Sequence, residues 1–221
     1  MSDPASHPPV WLRSLAERAR GRPDGQGWFA HGDDAALPAP EGARASAVLV
    51  LFGPDGRGGS DVVLTARASG LRAHAGQTSF PGGAVDPGDR DLVATALRES
   101  EEEIGLPPSA VNVLAQLTPF PIAVSGYAVT PVLGWWSGTA RIWARDPREV
   151  DTVLRIPVDQ LLDPAHRFQV RHPRGYVGAA FEVDGLLVWG FTARVLDQVL
   201  HEGGLTRPWD TTDLRPITDW D

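Results

Sequence analysis

The sequence predicts a layered domain of the α+β or α/β kind, and three observations carry the prediction. Short apolar or alternating runs read as strands, two longer segments carry a helical period, and Gly/Pro/Asp-rich stretches punctuate them throughout. At 221 residues, with 42% hydrophobic and 22% charged residues, the chain is sized for one well-filled core. The expected division is an N-terminal extension over residues 1–44, a main domain over 45–204 and a C-terminal tail over 205–221.

Taken in order, residues 10–20 place Trp11, Leu12, Leu15 and Ala16 on one side and arginines on the other, the pattern of a short amphipathic helix. Residues 21–42 are rich in Gly, Pro and Asp and read as a linker. The run 45–52 is a buried strand, and Pro54-Asp55-Gly56 turns the chain into a second strand at 61–67. Residues 68–88 form a glycine-dense loop of the kind that collects functional groups. A helix then starts after Asp89 or Asp91 as N-cap and ends at Gly105, because Pro107-Pro108 prevents continuation. Its buried face is Leu92, Val93, Ala96, Leu97, Ser100 and Ile104. Strands follow at 111–117, 127–136, 141–143 and 149–156, with short ones at 168–172 and 179–183. A second long helix spans 191–201 and stops at Gly203-Gly204. Trp135-Trp136, at a strand end, is expected to serve packing.

The 89–105 helix carries the chemistry. At about 100° per residue, Glu99, Glu102 and Glu103 fall within an arc of roughly 100°, whereas Glu101 points elsewhere and reads as solvated. Three carboxylates on one face suit a hard divalent cation such as Mg²⁺ or Mn²⁺, which phosphoanhydride chemistry requires. Arg98 stands one turn before Glu102, where a guanidinium can orient a carboxylate. The Gly82-Gly83 backbone, free of side chains, can approach metal or phosphate closely.

Other classes are disfavoured. A formal net charge of −8 argues against a general nucleic-acid binder. There is no cysteine, which removes disulfides and thiolate metal sites. All 20 basic residues are arginine, so no mechanism that needs a lysine applies. Residues 1–22 lack a basic start followed by an apolar run, and no stretch approaches a membrane span, so a soluble cytoplasmic protein is expected. Gly25-Gln26-Gly27-Trp28-Phe29-Ala30 superficially fits a dinucleotide fingerprint, but no strand precedes it and the reading is rejected.

Arg98, Glu99, Glu102, Glu103, Gly105 and Leu106, at their spacing, resemble the second half of the Nudix box of the Nudix hydrolase superfamily. Ser100 stands where the box prefers a larger or apolar residue. The glutamate expected eight residues before Arg98 is Arg90, and the gap from Gly82 to Arg98 is one residue longer than usual; Asp86 and Asp89 are the candidates to replace that acid. Upstream, Leu64-Thr65-Ala66-Arg67 and the run Leu71-Arg72-Ala73-His74-Ala75-Gly76-Gln77-Thr78-Ser79-Phe80-Pro81-Gly82-Gly83 are similar to the signature of the coenzyme A pyrophosphatase branch. Ser125-Gly126-Tyr127 with Thr130-Pro131-Val132, and the run 188–193, fit that branch as well.

The resemblance implies a Nudix fold, an α/β/α sandwich with a mixed central sheet. It implies metal-dependent hydrolysis of the diphosphate of coenzyme A or acyl-CoA, giving 4′-phosphopantetheine (or its acyl form) and 3′-phosphoadenosine 5′-phosphate. The rivals are another nucleoside diphosphate derivative such as ADP-ribose, and a non-catalytic nucleotide-sensing domain. Expected catalytic residues are Arg98, Glu99, Glu102 and Glu103; the Mg²⁺ or Mn²⁺ ligands are Glu99, Glu102, Glu103 and the Gly82 carbonyl; Arg67, Arg72, Gly82 and Gly83 contact substrate. The general base is open between Glu102 and a more distant acid such as Glu149. His74 fits a loop-bracing hydrogen bond at least as well as a ligand role, and Phe80-Pro81 is expected to shape the loop. The implied partner is a small molecule, with no nucleic acid and no membrane, and the sequence is compatible with a homodimer.

Overall fold

The computed structural model describes residues 7–21, 42–67, 77–122, 126–173 and 175–217. Strand β1 (Arg44–Pro54) is the apolar run of the sequence, and from Ser46 to Gly53 it is buried with only Val48 half-covered, as suits a strand with layers on both faces. It pairs in parallel with β7 (Tyr127–Trp136), and β5 (Val111–Gln116) lines the far side of β7 in antiparallel register. On its other edge β1 is shared. Its second half pairs with β2 (Ser60–Arg67) and its first half with β4 (Gly82–Ala84). β3 (Thr78–Ser79) pairs with β2, and β8 (Val150–Pro157) runs along β2 as well. The short β6 (Phe120–Ile122) pairs with the start of β7. The sheet is therefore mixed and forks between β2 and the first half of β1.

The fork is closed by two residues between β3 and β4. Phe80 is 3% exposed and fills it from within, and the Pro81 carbonyl accepts from the Leu49 amide at 2.8 Å. Phe80-Pro81 thus shapes the loop.

Helix α2 (Leu92–Ile104) packs on one face of the sheet, where Ala47, Leu49 and Leu51 meet Ala96, Ile104 and Leu106. The opposite face, with Val50, Phe52, Val62 and Leu64, is covered by α1 (Val10–Arg20) and α4 (Gly190–Glu202). Helix α1 buries Leu12, Leu15, Ala16 and Ala19, and Trp11 meets Phe52 edge-on. This is the α/β/α sandwich. A second sheet, in the order β11 (Leu186–Val188), β10 (Val177–Val183), β9 (Arg167–Arg171), β12 (Leu214–Pro216), adjoins α4. It is tied to β3 by Thr78 Oγ1, which donates to the Leu187 carbonyl at 3.3 Å. Among the described residues, no helix is long and apolar enough to cross a membrane.

Several sequence expectations need correction: the stretch read as a loop over 68–88 carries β3 and β4. Residues 141–143 form no strand; their alternation is real, since Ala140 and Ile142 pack on the α2 side of the core while Arg141 and Trp143 are exposed, but the Trp143 amide donates to the Ile104 carbonyl at the end of α2 rather than to a neighbouring strand. A third helix, α3 (Val158–Leu162), was not expected; its one turn is too short to show a period. Trp135 and Trp136 are each 3% exposed and serve packing, as expected. The rejected 25–30 segment lies outside the described residues.

Because Leu15 is fully buried among β1, β2 and α4 residues, Leu15→Ala should lower stability by about 2–5 kcal/mol. Urea unfolding is expected to show a lower midpoint at unchanged slope; a wild-type midpoint would mean that α1 is not part of this core.

Candidate active site

The N-terminus of α2 is set by two aspartates with separate tasks. Asp91 is the N-cap, its Oδ1 accepting from the Ala94 amide at 2.7 Å. Asp89 lies outside the helix with its side chain 5% exposed, and it reaches Arg98. Arg98 Nε donates to Asp89 Oδ1 and Nη2 to Asp89 Oδ2, both at 2.9 Å, a bidentate fork. Asp89 Oδ2 also accepts from Thr95 Oγ1 at 2.8 Å and from the Asp86 amide at 2.9 Å. These donors, the Arg98 guanidinium foremost, hold the Asp89 carboxyl well below the usual carboxylate range. The acid left open between Asp86 and Asp89 is therefore Asp89, nine residues before Arg98; the additional residue, Arg90, is exposed.

The rest of the guanidinium faces the helix and β4. Arg98 Nη1 donates to Glu99 Oε1 at 2.9 Å and to Glu102 Oε2 at 3.2 Å, and Nη2 donates to the Ala84 carbonyl at 3.1 Å. With these, all five of its N–H groups have acceptors. Asp89 is also the largest cause of the upward shift of Arg98, which stays charged.

The three glutamates stand at different depths. Glu103 is buried and accepts from the Gly82 amide at 3.1 Å, Glu99 is mostly covered, and Glu102 is exposed. Gly83 is needed for space: a Cβ there would lie about 2.6 Å from both Glu99 carboxylate oxygens. At Gly82, φ is 156° and a Cβ would meet the Ala47 carbonyl at 2.4 Å, so the close run of β4 against β1 excludes a side chain. Burial pushes the Glu99 carboxyl up, Arg98 opposes the shift, and the charges of Glu102 and Glu149 add to it. Glu149, in the turn before β8, thus contributes charge to the Glu99 environment. From the sequence it is only a distant acid, and nothing local marks its influence on Glu99.

Glu99, Glu102, Glu103, Gly82 and Gly83 are brought together, and Arg98 ties the first two. Glu101 lies apart, its carbonyl accepting from Arg145 Nη1 at 2.9 Å. Ser100 is fully buried and donates to the Ala96 carbonyl at 2.7 Å, so a small residue packs there. Arg67 stands opposite Val150 in the β2–β8 register, one residue from Glu149. Its side chain, Arg72, His74 and the rest of 68–76 lie outside the described residues, as does Ser125. Among the described residues, no three His, Asp or Glu side chains converge as a ready-made metal cage; Glu99 and Glu102 turn to Arg98, and Glu103 to the Gly82 amide. The donor set nevertheless fits a hard cation. It offers only oxygens, it gathers like charges around the mostly covered Glu99, and a glycine leaves that carboxylate its space.

A family model of the NUDIX domain matches residues 42–175. The protein named Uncharacterized Nudix hydrolase NudL from Yersinia pestis (strain Pestoides F) is 39% identical over 148 residues, covering 64% of this chain and 71% of its own. The protein of the same name from Yersinia pseudotuberculosis serotype O:1b (strain IP 31758) gives the same figures. Among solved structures, the Nudix hydrolase RenU from M. smegmatis is 18% identical with a TM-score of 0.53, over 76% of this chain and 90% of that one. A NUDIX hydrolase from Nitrosomonas europaea is 11% identical with a TM-score of 0.50, over 79% and 78%. These two are similar in fold.

The depressed Asp89 carboxyl implies a sign for pH dependence. Its stabilisation is fully present above the unfolded value of about 4 and is lost as pH falls through the lower folded value. Asp89→Asn should therefore lower stability by about 2 kcal/mol at pH 7, and the gap from wild type should narrow below about pH 4. Urea unfolding at pH 7 and pH 3 checks this, and an equal gap at both would contradict it.

Proposed function

Because the chain belongs to the Nudix hydrolase family and is a pyrophosphatase of that kind, we propose that it hydrolyses the diphosphate bond of coenzyme A or acyl-CoA. The observation that carries the substrate is the 64–67 and 71–83 signature, similar to that of the coenzyme A pyrophosphatase branch. Its last residues run through the sheet fork, so that Gly82 meets Glu103 and Gly83 meets Glu99. The end of the signature, Gly82-Gly83, thereby meets the carboxylate helix, which supports reading the two as one site.

Glu99, Glu102, Glu103 and the Gly82 carbonyl would hold Mg²⁺ or Mn²⁺, which would neutralise the diphosphate oxygens and make the attacking water more acidic. Arg98 orients Glu99 and Glu102 through its Nη1 donors. Arg67 and Arg72 bind substrate phosphates, for which a planar fork is suited. Glu149 accepts the proton of the attacking water: it lies in the turn before β8, next to Val150 opposite Arg67, its charge acts on Glu99, and the five donors of Arg98 all go to other oxygens. Water adds at one phosphorus, the bridging P–O bond breaks, and each half leaves with a phosphate end, as 4′-phosphopantetheine (or its acyl form) and 3′-phosphoadenosine 5′-phosphate. The substrate is a small molecule, and neither nucleic acid nor membrane enters the reading.

Turnover of coenzyme A, its dephospho form and ADP-ribose with Mg²⁺ or Mn²⁺ separates this from the other specificities. Coenzyme A is expected to lead by at least about tenfold in kcat/KM, or about 1.4 kcal/mol; equal or better turnover of ADP-ribose would overturn the substrate. Glu102→Gln and Glu103→Gln should each lower kcat by about a hundredfold or more with circular dichroism unchanged, given that a bound cation supplies several kcal/mol of charge stabilisation. Unchanged activity in both would sink the metal assignment, whereas no hydrolysis by the wild type would favour a nucleotide sensor.

A further inference from the structure

The segment between β7 and β8 crosses the C-terminus of α2, where a helix leaves its last carbonyls without internal partners. Here the segment supplies them. The Trp143 amide donates to the Ile104 carbonyl at 3.1 Å and the Arg145 amide to the Glu103 carbonyl at 2.8 Å. Arg145 Nη1 donates to the Glu101 carbonyl at 2.9 Å, a carbonyl that also accepts from the Gly105 amide. Gly105 is left-handed at φ 67°, and the Trp143 ring lies where its Cβ would be, at 2.7 Å. A guanidinium at this end also complements the negative pole of the helix.

From Arg145 the chain enters a tight turn that ends at Glu149. The Asp146 carbonyl accepts from the Glu149 amide at 3.1 Å and from the Val150 amide at 2.9 Å. The Asp146 side chain takes the Arg148 amide at 3.0 Å and its guanidinium at 2.6–2.9 Å. Glu149 follows with its charge felt at Glu99, and Val150 is locked opposite Arg67. Each link from the end of α2 to Glu149 is thus a named hydrogen bond.

We propose that Arg145 is a positioning residue: it pins this loop to the last turn of α2 and so sets where Glu149 stands relative to Glu99. The catalytic part of the inference rests on Glu149 acting in the hydrolysis proposed above, whereas the positional part stands on the loop alone. Arg145 is exposed and outside the core, so its removal leaves the fold in place.

Two measurements decide it. In Arg145→Ala, the Glu149 and Val150 amides should exchange hydrogen at least about tenfold faster than in the wild type, with Arg145→Lys restoring protection. Unchanged protection would overturn the proposal whatever the enzyme's substrate. With coenzyme A, Arg145→Ala should lower kcat about tenfold with KM within about twofold, and Arg145→Lys should recover most of the loss. In a Glu149→Gln background Arg145→Ala should add nothing further; losses that multiply would overturn action through Glu149. If the wild type cleaves no nucleoside diphosphate derivative, the proposed function fails and the exchange experiment alone judges Arg145.

Discussion

Arg98 holds the loop, the strand and the helix of this site in one arrangement. Its guanidinium is planar with five fixed donors, so satisfying all of them prescribes where the acceptors stand. One edge grips Asp89 and thereby the 86–91 turn; one donor takes the Ala84 carbonyl of β4; the remaining pair divides between Glu99 and Glu102. The charge arithmetic follows. Asp89 is bidentate, nearly covered and strongly depressed, so it claims most of the cation's field. Glu99 keeps a weaker share, and burial still raises it. The arginine orders the acidic group, while burial and the neighbouring carboxylates still raise Glu99.

The place where this charge collects is dictated by the sheet. β1 cannot pair along one edge with β2 throughout, because the chain peels off into β3 and returns as β4. A fork of this kind would expose backbone donors and a hole; Phe80 fills the hole and Pro81 takes the Leu49 amide. What remains is Gly82-Gly83, where the backbone must lie flat against β1 on one side and against a carboxylate on the other. The same two residues that let the sheet close also let Glu99 and Glu103 approach the backbone.

Much of this was legible in the residues, and what was not has physical causes. The runs 45–52 and 127–136 are long and apolar, α2 and α4 carry helical periods with glycine stops, and the 98–106 pattern fixes the spacing of its carboxylates. β3, β4, β6, β11 and β12 have two or three residues each, too few for any period; hydrogen bonding to a neighbour defines them. Residues 141–143 have the alternation of a strand because one side packs on the core, yet their amides serve a helix end. Alternation reports burial, and pairing is a separate fact. Arg145 was invisible for a related reason: its partners are the backbone carbonyls of Glu101 and Glu103, which any residue could have provided.

The additional residue before Arg98 shows how a spacing pattern can shift without loss of the site. Asp89 and Asp91 are both plausible caps by composition, and only geometry assigns them. A capping acid must turn its side chain down onto the first-turn amides, as Asp91 does at 2.7 Å, which aims it away from a residue two turns along. An acid that precedes the cap is free of that duty and can lie alongside the helix, as Asp89 does, meeting Thr95 and then Arg98. Inserting one residue between them leaves both tasks intact provided the inserted side chain can go to water, and Arg90 does. The constraint is therefore on the reach of a carboxylate to Arg98, and the count of residues in between is free to vary by the length of the turn.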